Sequence, residues 1–557
     1  MVKKTNKSQT RPLHILMVAA ENGALTGGKV GGVADVLRDV PRALARMGHR
    51  VSVITPGYMS LSARNPSHKL GELRAPFCGQ SESLTLYRCQ AQDDPLPAGS
   101  HGTVEQYLLD HSLFAACGAG AIYCHDGYGP FATDAHKFAL FCAGVAEWLN
   151  SDLINAPDVI HLHDWHSAVL AILRTYHPRY LGLRSIRTVF SIHNLSLQGI
   201  RPMRGDASSL QNWFPDLQID TGRVGDPRFP DCVNLMRSAL TLSDHVHVVS
   251  PGYLTEVLKP SDPERGFIGG EGLEKDLQLR HQRHELSGIL NGCEYPKRDK
   301  SPIFPKIPLD KLVFREVAGM KKLCTLIGDT VENWTSGKDY IPVSYLTALR
   351  RVEAWSRRRK SFPLSLTSIG RLTDQKVALL LLQREGRLVL EVVLEKLAER
   401  DGVLIMVGTG DESSERLLAR LMQRHENFLY LQGYSEQLAD HLYGAGDLFL
   451  MPSSFEPCGI SQMLAMRAGT PCLVHQVGGL KDTVVPGVNG FGFKGDSADA
   501  QASAMLENLD KACDEILANS EKWQQLREGA RAVRFDWEKS VTAYLTEMYQ
   551  PDMRDGE

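Results

Sequence analysis

Short runs of apolar residues alternate with helix-like patterns along most of this chain. The first series of runs reads HILMVAA, RVSVITP, DVIHLHD, TVFSIHN and HVHVVSP, and the second reads LSLTSIG, VLIMVGTG, NFLYLQG, DLFLMPS and PCLVHQV. Helical periodicity lies between the runs, for example over residues 34–47 and 136–149. Such alternation is typical of parallel strands covered by helices on both faces. The two series predict an α/β protein with two doubly wound Rossmann-like domains facing a central cleft, where ligands bind at the carboxyl ends of the strands.

The segment 449–479, FLMPSSFEPCGISQMLAMRAGTPCLVHQVGG, places a carboxylate beside the start of a predicted helix. A strand leads into a turn with Glu456, and the helix pattern begins near Ser461. The free N–H groups and positive dipole end of a helix attract phosphate, whereas Glu456 would repel it. We therefore expect Glu456 to accept hydrogen bonds from sugar hydroxyls in a nucleotide-sugar site. The alternative is a helix-capping turn with a solvated glutamate.

Seven motifs, in order along the chain, resemble those of the glycogen and starch synthases, which extend α-1,4-glucan. They are KVGGVADV, HLHDWHSA, FSIHNLSLQG, SGILNG, GRLTDQK, VGTGD and the segment 449–479. The resemblance covers most of residues 12–292 and 366–550. It implies a retaining glucosyltransferase with the GT-B fold, in which the first domain holds much of the acceptor and the second holds the nucleotide sugar.

The strand pattern and the resemblance together predict four parts of the chain. These are an N-terminal Rossmann-like domain on the acceptor side (12–295), a linker with an insertion (296–365), a C-terminal nucleotide-sugar domain (366–530) and a C-terminal helix that packs back on the first domain (531–550). Against the family pattern, Asp329 to Lys360 reads as an insertion of roughly two dozen residues, which is long for a connection in a compact domain. Its basic run ALRRVEAWSRRRK predicts either a solvated helix face or a surface for glucan or a partner.

Length and composition indicate an ordinary globular protein. At 557 residues the chain is too long for one core, and 43% hydrophobic with 23% charged residues are usual proportions. A formal net charge of −3 gives no general attraction to nucleic acid or to anionic membranes. Eleven scattered cysteines predict reduced thiols in a cytoplasmic protein. We interpret the apolar run Leu13 to Ala20 as a first strand rather than a signal peptide, and no apolar run is long enough to span a membrane.

The loop KVGG follows the first predicted strand and opens a helix. Gly31 and Gly32 would let backbone N–H groups approach a diphosphate closely, and Lys29 adds a positive charge. The resemblance implies that Lys29 contacts the diphosphate of the donor and that the loop also faces the growing glucan. The alternative is a tight turn with a surface lysine.

Two cations, Arg371 and Lys376, follow a strand of the second domain in GRLTDQK. Fixed cations at that place would neutralise the charge that develops on a departing nucleoside diphosphate, and the forked donors of arginine suit phosphate. The resemblance gives both residues this leaving-group role. The alternative is a pair of surface cations.

His193 and Asp164 also follow predicted strands, in SIHN and HDWH. The resemblance places His193 against the reacting glucosyl unit, where its ring or its backbone carbonyl would hydrogen-bond a sugar hydroxyl; the alternative is a core histidine. Asp164 would bind acceptor glucan or only orient its loop. The neighbouring Trp165 is either a sugar-stacking platform or, as we favour, a core residue.

Further substrate-binding residues are assigned by resemblance. Tyr434 follows another strand, where its ring would stack on the adenine base; the alternative is a half-buried tyrosine. Gly408 and Gly410 would allow the nucleotide to approach closely, and Asn291 would lie in the donor or acceptor pocket. The turn and helix start of segment 449–479 supply Cys458, Gly459, Ile460 and Ser461.

Two motifs depart from the family pattern. Val377 stands where the family usually has glycine, which puts the position of Lys376 in question. Cys293 and Glu294 follow Asn-Gly where Ile-Asp or Val-Asp is common. Both departures bear on whether the chain is active.

The leading hypothesis is a retaining glycosyltransferase that moves glucose from ADP-glucose to the nonreducing end of an α-1,4-glucan. Its partners would be this nucleoside diphosphate glucose and the glucan, with no nucleic acid and no membrane. No carboxylate pair stands out as the acid and base of a glycosidase, and no Cys/His cluster suggests zinc, so we expect no metal and no cofactor. The alternatives are a glucan-binding pseudoenzyme and a same-fold transferase with a small sugar acceptor.

Overall fold

The computed structural model describes residues 11–91, 100–124, 126, 131–295, 314–337 and 340–550. Strands of the first half are β1 (His14–Val18), β2 (Arg50–Pro56), β3 (Ser67–Phe77), β4 (Gln80–Cys89), β5 (Thr103–Asp110), β6 (Val159–His163), β7 (Arg187–Ile192), β8 (Ile200–Pro202), β9 (Cys232–Asn234), β10 (His245–Val248) and β11 (Leu286–Gly288). Strands of the second half are β12 (Leu364–Ile369), β13 (Gln383–Arg384), β14 (Arg387–Leu388), β15 (Gly402–Val407), β16 (Phe428–Leu431), β17 (Leu448–Met451), β18 (Cys472–His475) and β19 (Gly490–Phe493).

Helices connect most of these strands. Those of the first half are α1 (Gly32–Arg46), α2 (Leu61–Arg64), α3 (Ala132–Leu149), α4 (Val169–Tyr176), α5 (Leu210–Trp213), α6 (Thr221–Val224), α7 (Leu235–Leu242), α8 (Pro251–Val257) and α9 (Glu274–Gln282). Those that follow are α10 (Val317–Thr335), α11 (Val343–Ser356), α12 (Asp374–Leu381), α13 (Val389–Ala398), α14 (Glu412–Arg424), α15 (Glu436–Ala445), α16 (Ser461–Arg467), α17 (Gly478–Thr483), α18 (Ala498–Ala518), α19 (Glu521–Ala532) and α20 (Trp537–Ala543).

The first sheet has the strand order β11-β10-β7-β6-β1-β2-β5-β4-β3 in the described part of the chain. The five predicted strands β1, β2, β6, β7 and β10 pair in parallel. A hairpin of β3 and β4 adds an antiparallel edge that the sequence analysis did not predict. The first four residues of β3 are exposed, so this edge lacks the buried apolar run that identified the other strands.

The second sheet has the order β16-β15-β12-β17-β18-β19, with parallel pairing throughout. This is the order of a dinucleotide-binding sheet, and the crevice of such a sheet lies where the strand order reverses. The reversal falls between β12 and β17 in this sheet and between β1 and β6 in the first. The predicted α/β fold with two doubly wound domains is confirmed.

The region between the two sheets is largely helical. Of the predicted linker 296–365, residues 296–313 lie outside the described residues. Helices α10 and α11 pack on the second domain, and their buried side chains, such as Ile327 and Trp355, join its core. Part of the basic run is structural, because the Arg351 guanidinium donates to three backbone carbonyls that include those of Met422 and Phe428.

The C-terminal segment crosses back to the first domain. Trp537 donates its indole N–H to Asp39 Oδ2 at 3.3 Å, and Ser540 donates to the carbonyl of Leu290 at 2.6 Å. A π-helical turn, Tyr544–Tyr549, continues α20, and its buried side chains share a core cluster with β1 and α1.

The cysteines differ from the sequence prediction in one respect. Cys117 and Cys124 form a disulfide, whereas all eleven cysteines were expected as reduced thiols. The pair closes a surface loop after β5, and its spacing matches no motif that would have distinguished it from the other cysteines. In the part of the chain that the structure describes, no helix combines the length and apolar character needed to cross a bilayer.

Candidate active site

The candidate site residues follow the two pairs of strands at which the sheet orders reverse. In the second domain, Lys376 follows β12 and Glu456 follows β17. In the first domain, Lys29 follows β1 and Asp164 follows β6. Because parallel strands end at a common edge, the fold gathers each pair at one crevice, although the chain separates its members widely.

Lys376 and Glu456 form an ion pair across the crevice of the second domain. The Lys376 Nζ to Glu456 Oε2 distance is 2.9 Å, and Ser453 Oγ lies 3.3 Å from the same oxygen. The Glu456 residue is 8% exposed, which contradicts the alternative of a freely solvated carboxylate. Val377 lies on the buried face of α12, so this departure from the family pattern does not prevent Lys376 from pairing with Glu456 in the crevice.

The turn that carries Glu456 is fixed by its backbone. Gly479 donates its N–H to the Glu456 carbonyl at 3.0 Å. A Cβ on Gly478, whose φ is +42°, would lie 2.0 Å from that carbonyl oxygen. Across the domain boundary, Ser250 Oγ donates to the Pro457 carbonyl at 2.6 Å. The first domain therefore helps to set the position of this turn.

The other predicted residues of this turn, 458–461, differ in burial and in what they contact. Cys458 is buried in a cluster with first-domain residues, and burial raises the pKa of its thiol. Gly459 has φ +76°, and Ile460 is the residue before helix α16. Ser461 begins α16, and its Oγ lies 3.2 Å from the Tyr443 hydroxyl. Cys458 thus packs against the first domain, whereas Gly459 supplies the left-handed turn before the helix.

Arg371 lies at the same edge with an exposed side chain. Among the described residues it has no hydrogen bond or ion pair within the protein. A cation without an internal partner at a crevice remains available to an anionic ligand.

Asp164 is held in an unusual backbone conformation directly after β6. Its φ is +53°, and its Oδ1 accepts the backbone N–H of His193 at 2.8 Å and that of Asn194 at 3.4 Å. Burial raises the pKa of the Asp164 carboxyl to about 7, against the opposing effect of these two N–H donors. Asp164 thus holds the backbone of the loop after β7, and Trp165 beside it is buried as expected.

His193 belongs to a cluster of histidines beneath the crevice. Its Nε2 lies 3.0 Å from His163 Nδ1, and burial lowers the pKa of His193 to about 3, so its ring is neutral. Deeper in the domain, Ser191 Oγ lies within 2.8 Å of ring nitrogens of both His161 and His247. His163 was not among the predicted site residues, although its place in HDWH next to Asp164 was a usable signal.

The Lys29 loop differs from the expectation that its backbone N–H groups are free for phosphate. The N–H groups of Val30 and Gly31 both donate to Glu21 Oε2. Lys29 Nζ pairs with Asp35 at 2.7 Å, and although burial lowers the pKa of Lys29, Asp35 raises it overall. A Cβ on Gly32 would meet nothing within 4 Å, so open space lies before the start of α1.

Tyr434 is 56% exposed at the end of β16. Partial burial raises the pKa of Tyr434, and the charge of Lys29 in the other domain opposes this rise. The ring therefore lies at the cleft, near the first-domain loop. Its neighbour Gly433 packs on the indole of Trp334 in α10.

Gly408 and Gly410 make close contacts within the protein. A Cβ on Gly408 would lie 1.9 Å from the Gly370 carbonyl oxygen, and one on Gly410 would lie 2.2 Å from that of Leu372. Both glycines let two loops of the second crevice approach each other, which accounts for them without a nucleotide.

Asn291 is buried below the domain boundary. Its Oδ1 lies 3.4 Å from the Tyr544 hydroxyl. The unusual residues after it are accommodated: the Cys293 N–H donates to the Phe535 carbonyl at 2.8 Å, and Glu294 pairs with Arg46 at 2.7 Å. Asn291 thus stands in contact with the C-terminal crossover rather than in an open pocket.

Two glutamates of the site escaped the sequence analysis. Glu21 anchors the Lys29 loop, and Glu256 Oε1 accepts the N–H of Gly478 across the domain boundary at 2.7 Å. Neither glutamate stands at a sequence spacing from the Lys29 loop or from Gly478 that would have predicted its contact. Among the described residues, no group of three or more His, Cys, Asp or Glu side chains is placed to hold a metal ion.

Family models match both domains. Residues 14–279 match the starch synthase catalytic domain, and residues 364–511 match the glycosyl transferases group 1. The chain is 32% identical over 537 residues to a glycogen synthase of Anaeromyxobacter sp. (strain Fw109-5), covering 96% of this chain and 98% of that relative. It is 30% identical over 544 residues to one of Koribacter versatilis (strain Ellin345), covering 96% and 97%.

The chain belongs to the glycogen and starch synthase family. It is a glycosyltransferase of that type, as the sequence motifs predicted. A solved structure of the catalytic domain of Starch Synthase IV from Arabidopsis thaliana, bound to ADP and acarbose, superposes with a TM-score of 0.72, covering 97% of this chain and 99% of that one. At 23% identity this likeness establishes the fold.

Proposed function

We propose that this glycogen or starch synthase takes glucose from ADP-glucose and adds it, with retention, to the nonreducing end of an α-1,4-glucan. The observation that carries the proposal is the Lys376–Glu456 pair at 2.9 Å, which lies with the exposed Arg371 where the second sheet reverses its order. The ADP bound to the plant starch synthase supports adenine as the donor base.

In this proposal the cations act on the leaving group. The diphosphate gains negative charge as the bond to glucose breaks, and Arg371 with Lys376 offers fixed positive charge at that place. Glu456 Oε2 lies 2.9 Å from the Lys376 ammonium, but in this proposal the carboxylate serves the sugar rather than the diphosphate. Glu456 Oε1 makes no hydrogen bond among the described residues, so it can accept one from a sugar hydroxyl.

His193 and Asp164 serve the sugar from the other domain. Asp164 fixes the backbone of His193 through a 2.8 Å hydrogen bond, and the neutral His193 ring offers hydrogen bonds without adding charge. Lys29 and Tyr434 hold the diphosphate and the adenine base where the two domains approach each other. Closure of the cleft excludes water, so that glucose passes to a sugar hydroxyl.

Transfer of labelled glucose tests the proposal. ADP-glucose and UDP-glucose are supplied in parallel, each with glycogen and with small sugar acceptors. We expect incorporation into glycogen with faster turnover of ADP-glucose. Equal or faster turnover of UDP-glucose contradicts the donor assignment, and incorporation only into small acceptors contradicts the glucan assignment. Binding of glucan without any transfer would identify a pseudoenzyme.

A further inference from the structure

The Lys29 loop takes its shape from a buried carboxylate elsewhere in the first domain. Glu21 is 3% exposed, and its Oε2 accepts the backbone N–H of Val30 at 2.8 Å and also that of Gly31. A Cβ on Gly31 would lie 3.2 Å from Glu21 Oε1, so the backbone packs tightly against the carboxylate. The two N–H groups therefore serve Glu21 and are not free to bind a diphosphate themselves.

The second oxygen of Glu21 is also occupied. The Tyr123 hydroxyl donates to Glu21 Oε1 at 2.6 Å, across 102 positions of sequence. Tyr123 is fixed on both sides, because the carbonyl of Ile122 accepts the buried Lys137 ammonium at 2.6 Å and Cys124 is in the disulfide with Cys117. A charge-assisted hydrogen bond of this kind is stronger than one between neutral groups.

We infer that Glu21 and Tyr123 are positioning residues for the nucleotide sugar, which hold the Lys29 loop ready before the donor binds. This inference rests on the proposed function, since it takes the Lys29 ammonium to meet the donor diphosphate. A loop that is ordered in the free protein does not lose its conformational freedom on binding, so the affinity for the donor increases. Glu21 and Tyr123 act through the loop and do not touch the substrate.

The chain offers a matched control for Tyr123. Tyr180 also donates its hydroxyl to a buried carboxylate of the first domain, Glu147 Oε1, at 2.6 Å. No hydrogen bond links Glu147 or Tyr180 to the Lys29 loop among the described residues. Tyr123→Phe and Tyr180→Phe therefore remove equivalent hydrogen bonds, but only the first bond reaches the loop.

Steady-state kinetics and calorimetry are measured on the full chain for both variants. We expect Tyr123→Phe to raise the KM for ADP-glucose about tenfold with kcat within about twofold of the parent, because Lys29 contacts the diphosphate in the ground state and the transition state alike. The Kd of free ADP should rise by a similar factor. Tyr180→Phe should leave KM and Kd unchanged, although it should lower Tm by about as much as Tyr123→Phe does. Equal KM and Kd in the two variants would overturn the inference.

A double-mutant cycle separates this role from a general loss of packing. In a Lys29→Ala background, Tyr123→Phe should change the Kd of ADP by less than twofold, since the ammonium that the loop positions is gone. A full additional tenfold loss in that background would contradict the inference. Glu21→Gln, which keeps an acceptor oxygen but loses the charge, should weaken ADP binding in the same direction, and an unchanged Kd would count against it.

Failure of the proposed function has a different signature. A parent protein that transfers no glucose contradicts the function, yet its affinity for ADP still reports on the loop. A parent that transfers glucose normally, with Tyr123→Phe behaving like Tyr180→Phe, contradicts only the inference. The failure of the proposed function can therefore be distinguished from the failure of the inference.

Discussion

The two sides of the cleft are built differently. In the first domain, buried hydrogen bonds fix the site through the backbone: Asp164 holds the N–H of His193, and Glu21 holds the N–H groups of Val30 and Gly31. In the second domain, the charged side chains themselves face the crevice. Lys376 and Glu456 pair with each other.

The first domain therefore contributes a fixed shape to the cleft, and the second contributes charged side chains. The first domain pairs the buried carboxylates of Asp164 and Glu21 with its own backbone, because an unpaired buried polar group costs about 1–3 kcal/mol. It therefore presents a fixed surface, with a histidine ring kept neutral by burial. The second domain leaves Arg371 exposed and Lys376 only partly covered, and both can therefore exchange solvent for a phosphate. The first side is suited to orienting a sugar, and the second is suited to stabilising a leaving group.

The largest expected effect concerns charge on the second side. Lys376→Ala should lower kcat by about 10²-fold, the scale of losing a preorganised electrostatic donor. Lys396→Ala is the matched control, because Lys396 pairs with Asp510 at 2.6 Å in the same domain and has no place in the predicted site. Initial rates with ADP-glucose and glycogen measure both. A kcat for Lys376→Ala within a factor of two of the parent would remove the charge argument for this side.

Glu456 tests whether the carboxylate serves sugar or nucleotide. Glu456→Gln keeps one acceptor and should lower kcat/KM about tenfold, while Glu456→Ala should lower it further, since hydrogen bonds to charged groups contribute about 1.5–3 kcal/mol. Calorimetric affinity for free ADP should change little in either variant, because ADP carries no sugar in the donor pocket. A marked weakening of ADP binding would assign Glu456 to the nucleotide or to holding Lys376.

Tyr434 should show a smaller effect, confined to binding. Tyr434→Ala should raise the KM for ADP-glucose about fivefold with little change in kcat, as aromatic stacking contributes about 0.5–1.5 kcal/mol in both states. Tyr340→Ala removes another exposed tyrosine, 72% accessible, and should leave KM unchanged. If kcat falls and KM does not change, Tyr434 acts in the chemical step rather than in binding. The contrast between the two sides of the cleft is then contradicted.

The smallest effect is a pH dependence on the first side. Burial raises the pKa of Asp164 from 3.8 to about 7, so the folded protein binds its proton more tightly than the unfolded chain does. Stability contributed by protonated Asp164 is therefore fully present below about pH 4 and is lost as pH rises through about 7. Asp164→Asn lacks this titration.

Thermal unfolding of both proteins between about pH 5 and pH 8 measures this effect. The Tm of the parent relative to Asp164→Asn should fall with rising pH, by roughly 2 °C or more. His193 stays neutral in the folded protein over this range, because burial lowers its pKa from 6.5 to about 3. Protonation of the same histidine in the unfolded chain affects the parent and Asp164→Asn alike, so it cancels in the difference in Tm. A constant difference in Tm would show that Asp164 titrates below this range.

Some predictions could be made because the relevant signal is local. Buried parallel strands leave an uninterrupted apolar run, and all ten predicted runs are strands. The hairpin of β3 and β4 was missed because half of it is solvated. The loop contacts of Gly408 and Gly410 could not be predicted, because a glycine that admits a ligand and one that admits another loop look the same in sequence.

The sequence by itself determined the two sheets and the edges at which ligands bind, because alternation of strands and helices is a repeating property of neighbouring residues. Only the tertiary structure decided which polar side chains meet. Glu21 and Tyr123 are 102 positions apart, and Lys376 and Glu456 are 80 apart. No periodic pattern connects such pairs, because their contact depends on how whole loops return to a common edge of a sheet and on what each buried polar group needs there.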